Sequence, residues 1–266
     1  MLIVGERINT SRHAINEAVA GRDAVAIQRE VRLQVDGGAD LIDVNAGSRR
    51  DSEVDDLIWL IEEIQNEFPK VRLSIDSANP DSMNRVLDRV MLRPMLNSTT
   101  GERSRMEAMA PVIQKRACDI VALCMDDRGI PKTAGQTVEN TVRLVSDLED
   151  LGVPRDRIFL DPVTQAVSAN TRAGMMALEA IDGIRRELDG VHIISGLSNI
   201  SFGLPRRPLV NRAFLTLAMK AGLTAAILDP SDRGLMSALK AAQVLLDQDP
   251  WCQAYTRAFR EGRLEA

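Results

Sequence analysis

Apolar runs of about five residues, rich in Ile, Val and Leu, recur along the chain, and each closes on a polar side chain. Eight such runs fall at 2–8, 41–45, 71–76, 94–97, 120–125, 158–161, 193–199 and 225–229. They begin roughly 25–40 residues apart, the length that a strand, a loop and a returning helix require. Being apolar at consecutive positions, they suit strands buried on both faces of a parallel sheet. Eight strand–helix units use up the chain, and an eighth strand paired with the first leaves no exposed edge. The fold class expected is therefore α/β, a closed (β/α)₈ TIM barrel spanning 1–266 as one domain, with an open doubly wound sheet as the runner-up. In a barrel of this kind the functional groups stand at the carboxyl ends of the strands.

The stretches between the runs carry helix signals. Asn79 before Pro80 reads as an N-cap with proline in the first turn, and Ser231 after Pro230 offers a similar start. Over 54–68, Leu57, Ile58, Ile61 and Ile64 form one apolar stripe, with Asp55, Glu62, Glu63 and Gln65 turned outward. Gly152 with Pro154 ends the helix that contains Leu144, Val145, Leu148 and Leu151, and Gly222 ends another.

Read in order, the strand ends carry Glu6 and Asn9, Asp43 and Asn45, Asp76 and Ser77, Asn97 and Ser98, Met125 and Asp126, Asp161, Ser198 and Asn199, and Asp229. Any one of these could simply cap the next helix or set a turn. Eight polar exits in succession read instead as the lining of a binding site.

Composition narrows the chemistry of that site. The chain has 38 acidic and 33 basic residues, alternating along helices without a basic run, which disfavours nucleic acid as a partner. Aromatic residues at 3% leave no platform for stacking bases. No run approaches the roughly 20 apolar residues that cross a bilayer, and the start lacks the features of a signal peptide, so a cytoplasmic protein is expected. Cys118, Cys124 and Cys252 lack metal-ligand spacing and read as buried free thiols.

No lysine falls at a strand end, which disfavours Schiff-base chemistry, and His13 and His192 are too few for a multi-histidine metal site. What remains is suited to binding. Aspartate accepts two hydrogen bonds from a guanidine-like N–H edge, and asparagine donates and accepts at once. A pterin presents such an edge through its 2-amino group, N3 and O4.

The motifs Gly5-Glu6-Arg7-Ile8-Asn9, Asp43-Val44-Asn45-Ala46-Gly47, Ser74-Ile75-Asp76-Ser77, Leu96-Asn97-Ser98-Thr99, Asp161-Pro162 and Gly196-Leu197-Ser198-Asn199-Ile200-Ser201 resemble the pterin-binding methyltransferases. Within them the likeness is to methyltetrahydrofolate:corrinoid protein methyltransferases and related corrinoid-dependent tetrahydrofolate enzymes, and it runs on through Arg207-Pro208-Leu209-Val210-Asn211-Arg212. The resemblance implies that tetrahydrofolate or its methyl form binds at the barrel mouth, and that a separate corrinoid protein supplies the cobalamin. It implies a homodimer. It implies that Asp76, Asn97 and Asp161 hydrogen-bond the pterin, with Asp43 and Glu6 in the same site, and that Asn199 reaches the methyl-bearing N5 with Ser198 beside it. Arg207 is implied to contact the folate tail. Neither histidine sits in the Asp-x-His-x-x-Gly pattern of a cobalamin-binding chain, so the cobalt is expected from the partner.

Phe202 departs from the family, whose best-known members carry polar amides after the serine, and both stacking on the ligand and packing within the loop are open to it. Also open are demethylation running toward methyltetrahydrofolate, a dihydropteroate synthase-like condensation, and a pterin-binding subunit without activity.

Overall fold

In the computed structural model, which describes residues 1–265, the strands β1 (Leu2–Asn9), β2 (Leu41–Asn45), β3 (Arg72–Asp76), β4 (Met95–Gly101), β5 (Asp119–Asp126), β6 (Ile158–Asp161), β7 (His192–Gly196) and β8 (Ala225–Leu228) run parallel. Each pairs with the next, and β8 returns to β1 with Ala225 opposite Leu2 and Leu228 opposite Gly5, closing the barrel. The expected eight-stranded closure is therefore what forms.

Alternation along the strands builds the site. Val4, Leu41, Met95, Val121, Phe159, Ile194 and Ala225 form an apolar cluster separate from the larger one between sheet and helices. Contributed by seven strands, this smaller cluster fills the lumen. Side chains two positions further along a strand face the same way. Glu6 follows Val4, Asp43 follows Leu41, Asn97 follows Met95, and Asp161 follows Phe159 at that spacing. A polar layer thus stands on an apolar floor at the carboxyl end.

Several local expectations change. The chain leaves the sheet at Gly196 and enters a 3₁₀ turn, Leu197–Ser201, so Ser198 and Asn199 sit on a turn and not on the strand. Leu197 and Ile200 are both buried, and their i, i+3 spacing is the helical signal hidden in an apolar run. β4 continues past Asn97 to Gly101, with a register shift against β5.

Asn79 caps its helix as expected, accepting from the Asp81 N–H, but the cap near Pro230 is Asp232; Ser231 instead hydrogen-bonds Asp229. Gln65 points inward, bridging the Arg89 carbonyl and the Met91 N–H at 2.9 and 2.6 Å. Gly152 and Gly222 follow their helices with φ of +85° and +127°, where a side chain would be strained. Cys118 and Cys124 are buried free thiols, whereas Cys252 is exposed. Among the described residues no helix is long and apolar enough to cross a membrane.

Candidate active site

The mouth of the barrel divides into two polar clusters with Asp161 between them. The first spans β2 to β4. Asp43, 4% exposed, accepts from Ser74 Oγ at 2.6 Å and from Asn97 Nδ2 at 3.2 Å on one oxygen. Asn45 Nδ2 donates to Asp76 Oδ2 at 2.7 Å. The strand register sets this up by placing Asn45 opposite Asp76 and Asp76 opposite Asn97.

The Asp43 and Asp76 carboxyl groups also hydrogen-bond each other. Burial raises both pKa values, and the charge of Asp76 raises Asp43 further.

Two supporting residues had no signal in the strand pattern. Glu53, buried at the start of the helix Glu53–Glu67, accepts from Ser77 Oγ and Ser82 Oγ at 2.6 and 2.7 Å and places a second negative charge near Asp76. Arg105, on the helix Arg103–Lys115, donates to the carbonyls of Ala78 and Ser98, each at 2.5 Å, and ties together the loops after β3 and β4.

Asp161 stands alone as a charge. It is 8% exposed and accepts backbone N–H groups from Val163, at 2.8 Å, and Gly196. Burial outweighs these bonds and pushes its pKa up to about 6. Val163 takes φ +59°, an unfavourable region for a β-branched residue, as its N–H turns back to this carboxylate.

The second cluster lies across the mouth, on the ends of β7, β8 and β1. Arg207 donates from Nη2 to the Ser198 carbonyl at 2.7 Å and from Nε to Ser201 Oγ at 3.1 Å, so it fastens the turn carrying Asn199. The exposed Asn199 amide lies over Gly196, where an added Cβ would sit 3.1 Å from Nδ2. Glu6 accepts weakly from Ser198 Oγ at 3.4 Å. Burial and the charge of Asp229 push its pKa up to about 7, against the opposing pull of Ser198, Arg207 and Arg12.

All eight residues expected from the sequence thus line one mouth, while other strand-end groups do not. Asp126 is held by Arg128 at 2.8 Å, and Asn9 accepts the Ser11 N–H at 2.9 Å in its own turn. Phe202 is 67% exposed, with the Arg207 guanidinium 5.8 Å from its ring centre, so packing within the loop is not its role. His13 is exposed, and His192 stacks on Phe159 at the start of β7, below the polar layer. Among the described residues no group of His, Cys, Asp and Glu could hold a metal ion.

A polar layer over an apolar floor at the carboxyl end of a closed (β/α)₈ barrel is the arrangement of a small-molecule enzyme. The profile of the pterin binding enzymes matches residues 5–229, and the chain belongs to that family. It is 34% identical over 266 residues, covering 99% of this chain and 98% of the relative, to a methylcorrinoid:tetrahydrofolate methyltransferase of Eubacterium limosum. It is also 28% identical over 244 residues to a methionine synthase of Mycobacterium tuberculosis, covering 87% of this chain and 20% of that protein. Among solved structures, Burkholderia cenocepacia dihydropteroate synthase complexed with 7,8-dihydropteroate superposes with a TM-score of 0.70 at 21% identity, covering 93% of each chain, a likeness of fold.

Proposed function

We propose that this enzyme moves a methyl group between N5 of tetrahydrofolate and the cobalt of a corrinoid carried by a separate protein. The observation that carries the reading is the two-sided mouth, with buried hydrogen-bond acceptors on β2–β6 facing an amide on a braced turn after β7. Asp76, Asn97 and Asp161 hold the pterin's N–H edge and carbonyl; hydrogen bonds from Asn45 and Asp43 orient Asp76. Asn199 hydrogen-bonds N5, Ser198 lies beside it, and Arg207 holds the turn rigid so that the amide stays aimed. The corrinoid is a substrate here.

Cobalt chemistry supplies a strong nucleophile in one direction and an electrophilic methyl in the other. The chain's task is the nitrogen. A tertiary amine leaves poorly unless N5 gains a proton or a strengthened hydrogen bond as its carbon bond breaks, and the reverse step must release that proton. An amide cannot give up a proton at neutral pH, so Asn199 stabilises protonated N5 through its carbonyl oxygen. The relative from Eubacterium limosum carries the methylcorrinoid first in its name, which favours flow toward methyltetrahydrofolate.

The test is methyl transfer by the purified chain with free cobalamin, using methylcobalamin plus tetrahydrofolate and, separately, cob(I)alamin plus methyltetrahydrofolate. Product in both directions is expected. Pterin binding by calorimetry with no product in either direction would establish a binding subunit instead.

Gly196 offers a sharper check of the Asn199 geometry. Its φ of −67° suits any residue, so Gly196→Ala should fold with a melting temperature within a few degrees of the parent. The new methyl group meets only the end of the Asn199 side chain, which must swing aside. The expected result is a loss of methyl-transfer rate of roughly 10-fold or more with pterin affinity kept, because only a contact made in the transition state is disturbed.

A further inference from the structure

Beside the Asn199 turn lies a cavity of about 260 Å³ whose lining includes Glu6, Ser198, Arg207, Asn211, Asp229 and Asp232. At roughly 30 Å³ per molecule it has room for several waters, and its walls supply the polar partners that they need. Asp43, Asp76 and Asn97 are not among its walls, and the holding of the pterin ring makes no use of it. Each charged group around it has a partner except Glu6. Asp229 takes Arg7 Nη1 at 2.6 Å and Ser231 Oγ at 2.6 Å, and Asp232 takes Arg212 Nη2 at 2.8 Å. Glu6 has only the long contact from Ser198 Oγ.

The charges facing Glu6 are Asp229 from the end of β8, Arg207 from the helix Arg207–Ala221, and Arg12 from the loop after β1. The guanidinium of Arg207 is engaged by the turn, and Arg12 Nη1 donates to the Arg7 carbonyl and, at 3.5 Å, to Glu30. Among the described residues no cation therefore forms an ion pair with Glu6, and the charge of Asp229 faces it. Both conditions hold its carboxyl at the edge of ionisation near neutral pH.

We propose that Glu6 is the proton reservoir of the methyl transfer, exchanging the N5 proton through the Ser198 hydroxyl and water in this cavity. The inference rests on the methyl-transfer reading and gives it the proton path that Asn199 cannot provide. When tetrahydrofolate is methylated, the N5 lone pair forms the new bond to carbon, and the cobalt–carbon electron pair stays on cobalt. The N5 proton then passes to the Glu6 carboxylate, leaving its bonding pair as the new lone pair on N5. In the opposite direction the Glu6 carboxylic acid returns the proton as the carbon–nitrogen bond breaks. A group that titrates close to the working pH serves both directions.

Glu6→Gln keeps the shape and removes the exchangeable proton. With free cobalamin as the probe, the parent should lose demethylation of methyltetrahydrofolate above an inflection near pH 7. The variant should be slower by about 30-fold or more at pH 7 in both directions, without that inflection, and with methyltetrahydrofolate affinity within about three-fold. A merely structural role would not move the pH profile.

Infrared titration of the ligand-free protein gives a readout independent of turnover. A protonated-carboxyl band that disappears near pH 7 in the parent should be missing from the variant. Should Glu6→Gln fold poorly, Ser198→Ala carries the same test, with a slowed rate expected and the infrared titration moved to higher pH, because the Ser198 hydroxyl holds the Glu6 pKa down. A Glu6→Gln enzyme that keeps the parent's rate and inflection overturns the proposal alone. A parent that binds pterin but transfers no methyl group overturns the methyl-transfer reading and the proposal with it.

Discussion

Asn199→Ala is expected to slow single-turnover methyl transfer by about 100-fold to 1,000-fold while leaving tetrahydrofolate affinity within about three-fold of the parent. The amide is exposed and makes no side-chain hydrogen bond among the described residues, so removing it leaves no buried group unsatisfied and costs the fold little. Its value lies in being fixed in place. Arg207 ties the turn through Ser198 and Ser201, Leu197 and Ile200 anchor it from below, and Gly196 leaves the amide its space. A contact that strengthens only as charge develops on N5 contributes to the barrier and not to ground-state binding, at about 2–4 kcal/mol. Stopped-flow cobalamin absorbance gives the rate and calorimetry gives the affinity. An unchanged single-turnover rate would remove Asn199 from the mechanism.

Asp161→Asn is expected to act the other way, weakening tetrahydrofolate binding by about 100-fold or more while stabilising the free protein. The carboxylate is buried with two backbone donors and, among the described residues, no cation, a costly arrangement that a pterin N–H edge would relieve. An amide can still accept the Val163 N–H, but it turns one acceptor into a donor facing the ligand's own donors. The pH dependence has a definite sign. Because the folded pKa is raised from 3.8 to about 6, the folded protein holds this proton where the unfolded chain has lost it. Stability from this group is therefore greatest below about pH 4, falls as pH rises to about 6, and stays low above that. Urea unfolding of the ligand-free protein should show Asp161→Asn more stable than the parent at pH 8, by on the order of 2 kcal/mol, with the difference fading toward pH 4. Parental affinity in the variant would exclude Asp161 from the pterin site.

The barrel was legible because its signals are local. Eight apolar runs at strand–helix spacing define the units, and period-two alternation along each strand decides that Glu6, Asp43, Asn97 and Asp161 share the lumen with the apolar residues below them. Two misreadings show where locality fails. The run 193–199 is apolar enough to pass for strand throughout, yet the chain turns at Gly196, and only burial at Leu197 and Ile200 reveals the helical spacing. Gln65, polar by type, is inward because two backbone groups of the next loop, Arg89 and Met91, need its amide.

What the sequence by itself determined is the closed barrel, the family, and the list of side chains at its mouth. Tertiary structure alone decided how those side chains are charged and what holds them. Asp43 and Asp76 have raised pKa values because the register brings two buried carboxyl groups together across two strands, and Glu53 reaches Ser77 and Ser82 from a neighbouring helix. Arg207 became the brace of the Asn199 turn, and barrel closure set Glu6 beside Ser198, 192 residues away, and next to Asp229. The physical reason is that side-chain direction follows from backbone periodicity within one strand, whereas a pKa depends on burial and on charges that arrive through space from the rest of the chain.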